Sequence, residues 1–163
     1  MKILARVVAY TAFAAVTALF SIWPQYRMMD SSEALVSLTF SHAGQRVGEC
    51  RKLTQEELNE LPPNMRKPEE CPRARHPLYL LLKIDQQPVY EAVLHPSGLW
   101  ADGKSDVYQR LQVRAGRRKL WVGMRDSGRA SGFDHVQETV RDISPGSNVI
   151  IGFDELNRRF EIQ

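Results

Sequence analysis

The chain has 163 residues, 43% of them hydrophobic and 25% charged. This balance excludes disordered, collagen-like and low-complexity classes. The formal net charge of +3 is an N-terminal feature: beyond residue 30 there are 19 basic and 18 acidic residues with their signs interspersed. Such a domain offers no clustered basic face, so nucleic acid is excluded as a partner.

Val7 to Trp23 is an uncharged run of 17 residues, preceded by Lys2 and Arg6 and followed by Tyr26 and Arg27. Interfacial aromatics and a far-side charge are the flanks of a bilayer-spanning helix, and a run of this length just crosses the hydrocarbon core. A cleaved signal peptide is the alternative. Its small-residue cleavage site is not found after the run, where Phe20, Ile22, Trp23 and Pro24 are bulky. The excess of positive charge before the run places the N-terminus in the cytoplasm and the remainder outside. The expectation is a single-pass inner-membrane protein, with residues 1–30 as anchor and flank, residues 7–23 in the lipid, and residues 31–163 as a periplasmic domain.

Ala34, Val36, Leu38 and Phe40 alternate with Leu35, Ser37 and Thr39, which predicts a half-buried strand. A segment over 41–76 follows, containing both cysteines, Cys50 and Cys71. In an oxidising compartment they are expected to pair. A cross-link over 21 positions constrains the unfolded segment by about 3 kcal/mol. A redox pair is the alternative, but no C-x-x-C spacing is present to acidify one thiol. Within the segment, Thr54 and Glu57 form a capping box, and Leu53, Leu58 and Leu61 give a short helix one apolar side before Pro62 ends it.

From Pro77 the period is two. Leu78 to Ile84 and Val89 to Leu94 read as a hairpin around Asp85-Gln86-Gln87-Pro88. Val107 to Val113 and Leu120 to Met124 read as a second hairpin about Ala115-Gly116. Val136 to Ile143, Val149 to Phe153 and Phe160 to Ile162 complete eight candidate strands. Without crossover helices, the fold class is mainly β: an Ig-like antiparallel β-sandwich, with an N-terminal transmembrane helix and a short helix in the disulfide-closed insertion.

The stretch Val113-x-Ala115-Gly116-Arg117-x-x-Leu120-x-Val122, then Val140, then Pro145-Gly146-x-Asn148-Val149-Ile150-Ile151, resembles the PEGA and carboxypeptidase-regulatory-like group of small extracytoplasmic β-sandwich modules over about 40 residues. The resemblance implies binding or scaffolding rather than catalysis. Two features depart from the group: Gly132-Phe133 only loosely matches its Gly-Tyr pair, and the cysteine segment has no counterpart.

Motifs for catalysis are missing: no G-x-S-x-G, no phosphate loop and no dinucleotide fingerprint. Asp102 and Asp106 lack the further acidic positions of a calcium loop and read as a polar turn. His42, His76, His95 and His135 fall in different elements without H-x-x-x-H spacing, so a metal site would require convergence in three dimensions. The best soft-ligand set is His42, Met65 and His76, which a copper- or haem-handling assembly factor would use. The primary expectation is neither cofactor nor metal. If consecutive strands run antiparallel, the tight turns share one end of the domain. The connections 95–106 and 126–133 then share the other. His95, Trp100, Arg125, Arg129 and Phe133, with Arg73 and Arg75 nearby, are expected there as partner-binding residues, an aromatic and arginine mixture suited to anchoring. The alternative is that Trp100 and Phe133 fold back over the open end of the core. The function expected is that of a non-catalytic accessory subunit of an integral membrane protein complex.

Overall fold

The computed structural model describes residues 2–24 and 29–163. It divides into two compact units, Met1–Asp30 and Ser31–Gln163. In the first, helix α1 (Lys2–Ile22) is apolar on all sides and buries none of its residues. Its 21 residues reach about 30 Å at ~1.5 Å each, the thickness of a hydrocarbon core. The hydroxyls of Thr11, Thr17 and Ser21 donate to the carbonyls of Val7, Phe13 and Thr17 at 2.8, 2.9 and 2.8 Å. The helix thus satisfies its own polar side chains, as a segment in lipid must. By length and composition it can cross a membrane. Tyr26 and Arg27, part of the expected far-side flank, lie outside the described residues.

The second unit is mainly β. Its strands are β1 (Glu33–His42), β2 (Arg51–Lys52), β3 (Glu69–Glu70), β4 (Leu78–Ile84), β5 (Gln87–Leu94), β6 (Ser105–Arg114), β7 (Gly116–Arg125), β8 (His135–Ile143), β9 (Asn148–Asp154) and β10 (Arg159–Ile162). Two four-stranded sheets form, ordered β10-β9-β1-β6 and β5-β4-β7-β8. All pairs are antiparallel except β1 with β9. The even-numbered apolar positions of β1, β4 and β7 meet in one core. Ala34, Val36 and Leu38 from the first sheet face Leu78, Leu80, Leu82, Leu120, Val122 and Met124 from the second, all fully buried. Ile151 and Phe160 close it from β9 and β10.

The β4–β5 hairpin turns in two residues rather than four. Asp85 and Gln86 both take positive φ, 51° and 69°, the backbone twist that matches two twisted strands. Pro88 then falls inside β5, where a missing N–H is tolerated because β5 is an edge strand. The second expected hairpin is corrected: β6 pairs with β1 and β7 with β4 and β8, so the chain crosses between sheets at Ala115. Gly116, at φ 113°, lets the backbone swing across, and Ala115 N–H donates to Ser32 O at 2.9 Å. Alternation reports which face of a strand is buried but not which neighbour it pairs with, so an arch and a hairpin look the same in sequence.

Between β1 and β4 lies the closed segment. Cys50 and Cys71 form a disulfide, β2 pairs with β3, and helix α2 (Gln55–Glu60) starts at Thr54 in a complete capping box with Glu57. Gly44 brings β1's exit against the entry to β4: a Cβ there would sit 2.1 Å from the His76 carbonyl oxygen. Only glycine permits that approach.

Candidate functional site

Three strands end on polar residues at one end of the domain. His42 continues the inward series Ala34, Val36, Leu38, Phe40 of β1. Asp126, directly after β7, continues Leu120, Val122, Met124. His135 opens β8 on the inward side, opposite Met124. Alternation therefore carries all three side chains to the last layer of the core. There Asp126 is 1% exposed and His42 9%, and the His135 side chain 8%.

Asp126 Oδ2 accepts from Nε2 of His42 at 2.9 Å and faces Nε2 of His135 at 3.1 Å. Its other oxygen, Oδ1, accepts from Gln45 Nε2 at 3.1 Å. His135 Nδ1 lies 3.2 Å from the Arg158 carbonyl. A carbonyl only accepts, so this nitrogen carries a proton and donates. His42 Nδ1 is buried without a hydrogen-bond partner; the carboxylate of Glu155 stands 3.7 Å away and is itself held by Lys104 at 3.0 Å. Phe153 presents its ring edge-on to both imidazoles, at 4.7 Å from His42 and 5.1 Å from His135. Burial pushes the Asp126 carboxyl up, but its contacts with the two imidazoles outweigh it and hold the group well below the usual carboxylate range. The cluster is thus a buried anion with two imidazoles turned on one oxygen.

Among the described residues, two groups gather three potential ligand atoms within 4.8 Å: His42, Asp126 and His135, and Cys50, Glu69 and Cys71. In the second the sulfurs are consumed by the disulfide. The expected soft-ligand residues sit in separate surroundings. His42 is in the buried cluster, Met65 is exposed in the closed segment, and the His76 ring packs against Gly128, where a Cβ would meet it at 2.8 Å.

The five residues expected to bind a partner divide between two loops. Trp100 is 65% exposed beside Leu99, which is 92% exposed; His95, at the start of the same connection, is also exposed. This loop is held firmly: Ser97 N–H donates to Lys104 O, Gly103 N–H to Ser97 O, and Ala101 N–H to Gly98 O. Arg73 grips the Asp102 carboxylate with two nitrogens at 3.0 and 2.6 Å, and Arg75 donates to the Asp102 and Gly44 carbonyls, both at 2.9 Å. Arg125, Arg129 and Phe133 instead organise the 126–134 connection. Phe133 lies on the outer face of the second sheet, stacked on Tyr79 at 5.7 Å and edge-on to Trp121 at 5.1 Å. Arg125 covers Tyr79 at 4.7 Å, and Arg129 bonds the Phe133 carbonyl and the Asp134 carboxylate. Gly123 makes room for the Phe133 ring: a Cβ there would come within 2.8 Å of it. Phe133 therefore neither projects into solvent nor covers the open end of the core.

A cleft of about 850 Å3 lies beside the closed segment, lined by Arg51, Glu57, Met65, Glu70 and Arg73. Several of its charges are paired, Arg51 with Glu57 and Glu70, and Arg73 with Asp102. Compared with known proteins, the chain matches no family model and no curated protein.

Proposed function

We propose that the chain is a single-pass inner-membrane protein whose β domain, an Ig-like sandwich on the periplasmic side, is a non-catalytic accessory or interaction subunit of an integral membrane protein complex. The observation that carries this reading is the Leu99–Trp100 pair, apolar and exposed at the apex of a loop locked by its own hydrogen bonds and by Arg73 and Arg75. A locked loop loses little freedom on binding, so the contact area of the indole goes into affinity. Exposed aromatic anchors on rigid supports are what interface centres are made of. Leu156, 95% exposed on the neighbouring turn, extends the apolar tip, and the Lys104–Glu155 ion pair joins the two loops. The tip stands at the end of the domain remote from Ser31, where the chain enters β1. An anchor in the same membrane as the partner raises the effective concentration of a weak contact at such a tip. The resemblance to PEGA-type modules, which bind or scaffold, points the same way.

A photo-crosslinking residue placed at position 100 of the full-length protein in native membranes tests this, with position 108 on the outside of the first sheet as control. Tyr108 is 71% exposed, so accessibility alone would label both. The expected result is an adduct with one integral membrane protein from position 100 only, its yield lowered by Leu99→Asp. Equal adducts from both positions, or none from position 100, overturn the reading.

A further inference from the structure

We propose that His42, Asp126 and His135 form a binding site for one divalent transition-metal ion of the kind that favours imidazole, Zn2+ or Cu2+. Three ligand atoms, two Nε2 and one Oδ2, converge within 4.8 Å of one another, at 2.9 and 3.1 Å across the two histidine–aspartate contacts. An ion with bonds of ~2.0–2.1 Å in tetrahedral geometry separates its ligand atoms by about 3.3 Å, so the two histidine–aspartate contacts would need to open by only a few tenths of an ångström.

The proton positions favour a cation at this point. His135 Nδ1 donates to the Arg158 carbonyl, which leaves the lone pair of a neutral ring on Nε2, directed at the carboxylate oxygen of Asp126. Two lone pairs cannot face each other at 3.1 Å unless a positive charge lies between them. His42 Nε2 points to the same oxygen. A proton on His135 Nε2 would supply that charge, and one divalent ion would supply it to both rings at once.

The outer contacts are those of a ligand set. The carbonyl behind His135 fixes its tautomer and orientation, and Gln45 holds the oxygen of Asp126 that the ion would leave free. His42 has no such partner. Its buried Nδ1 makes no hydrogen bond and has beside it the Glu155 carboxylate at 3.7 Å and the ring of Phe153. A histidine buried to nine-tenths with one hydrogen bond leaves its second ring nitrogen unsatisfied, which is costly in a structural residue. It is well placed as a ligand. Each residue stands at a strand terminus in the rigid end layer of the core, which supplies the preorganisation a small ion requires. The donor set, two imidazoles and one carboxylate, is one that Fe2+ also takes. The general affinity order places Cu2+ and Zn2+ above it.

The test uses the full-length chain, purified without a histidine tag in detergent and stripped with a chelator, then titrated with Zn2+ against a competing chromophoric chelator. One Zn2+ per chain is expected, with affinity lower by at least about tenfold in His135→Gln and unchanged in His76→Gln and His95→Gln. Should His135→Gln fail to fold, the wild-type protein still decides. Its Co2+ form is expected to show visible d–d bands without thiolate charge transfer, and X-ray absorption a nitrogen and oxygen shell containing two imidazoles. Absence of saturable one-to-one binding by the wild-type chain overturns the proposal. So does a folded His135→Gln variant of unchanged affinity, or a metal shell without imidazole. Position 100 is not involved, so the crosslinking result stands or falls separately.

Discussion

The two ends of the β domain are closed by different means. At the end where the chain enters, backbone groups do the work: Ala115 N–H meets Ser32 O, Gly146 N–H meets Glu33 O, and Asp85 N–H meets Lys119 O, all within 2.7 to 2.9 Å. An ion pair there, Asp85 with Arg118 at 2.8 Å, is exposed. At the other end the last layer of the core is polar, and Asp126 with its two histidines is enclosed where β7 and β1 would ordinarily end on apolar side chains. The first arrangement is the inexpensive one, since water solvates whatever the turns leave unpaired. The second holds a charge in a poorly solvated place, stable only while every partner is present. The contrast separates a scaffold end from a chemical end.

Removing one partner should expose that contrast most strongly. Asp126→Ala leaves two buried imidazoles facing nothing and frees the Gln45 amide, and should cost about 3 kcal/mol in denaturant unfolding of the metal-free protein. Asp85→Ala, at the scaffold end, should move the midpoint far less. Equal losses would mean that the two ends do not differ in kind.

A second comparison is between the sheets and the closed segment, whose strands β2 and β3 pair only with each other. Replacing Cys50 and Cys71 by serine should remove about 3 kcal/mol of constraint on the segment. The loss should stay local: trypsin should cut at Lys52 or Arg66 while the sheets remain resistant, as mass spectrometry of the fragments would show. Loss of the sheets as well would show the segment to be integral to the core.

Gly123→Ala tests how the 126–134 connection is seated. The added methyl meets Trp121 at 2.5 Å and Phe133 at 2.8 Å, so the ring must leave the sheet. A cost of about 1–3 kcal/mol is expected, with loss of near-ultraviolet circular dichroism from the Tyr79–Phe133–Trp121 stack. An unchanged spectrum would remove Phe133 as the seat of that loop.

The smallest effect concerns α2. The hydrogen bond from Arg51, followed by that from the Thr54 backbone, brings the Glu57 carboxyl down to about 2. A depressed acid lends stability above its unfolded value, near ~4.3, and withdraws it as pH falls toward the folded one. Amide exchange over 55–60 should therefore quicken, beyond its intrinsic pH dependence, between about pH 4.3 and 2 in the wild type and not in Glu57→Gln. The sheets should be indifferent over the same range of Glu57 titration.

Much of the fold was legible because burial on one face of a sheet writes a period of two into the chain. Leu78 to Ile84 and Leu120 to Met124 carry it openly, and Thr54 with Glu57 announces α2 by its capping chemistry. The partner of each strand was not legible: the parallel pairing of β1 with β9 and the crossing at Ala115 depend on long-range packing that leaves no local mark. The histidine–aspartate cluster was legible in part. His42 and His135 are 93 positions apart, so no spacing rule links them. Yet His42 and Asp126 each take the next inward place in an otherwise apolar alternating series, and the alternation of strand direction sends both to the same end. A polar residue in the final inward place of such a series is the signal that would have found them.

β1 has one further consequence. It lies inside its sheet, hydrogen-bonded along ten positions to β6 on one side and four to β9 on the other. Tension applied at Ser31 along the strand axis therefore loads all of these bonds together, in shear, instead of peeling them one at a time. The covalent tie of the domain to residues 1–30 thus enters through a central strand, and a tug on that tie would be borne by the middle of a sheet, with an edge strand such as β5 or β10 left unstressed.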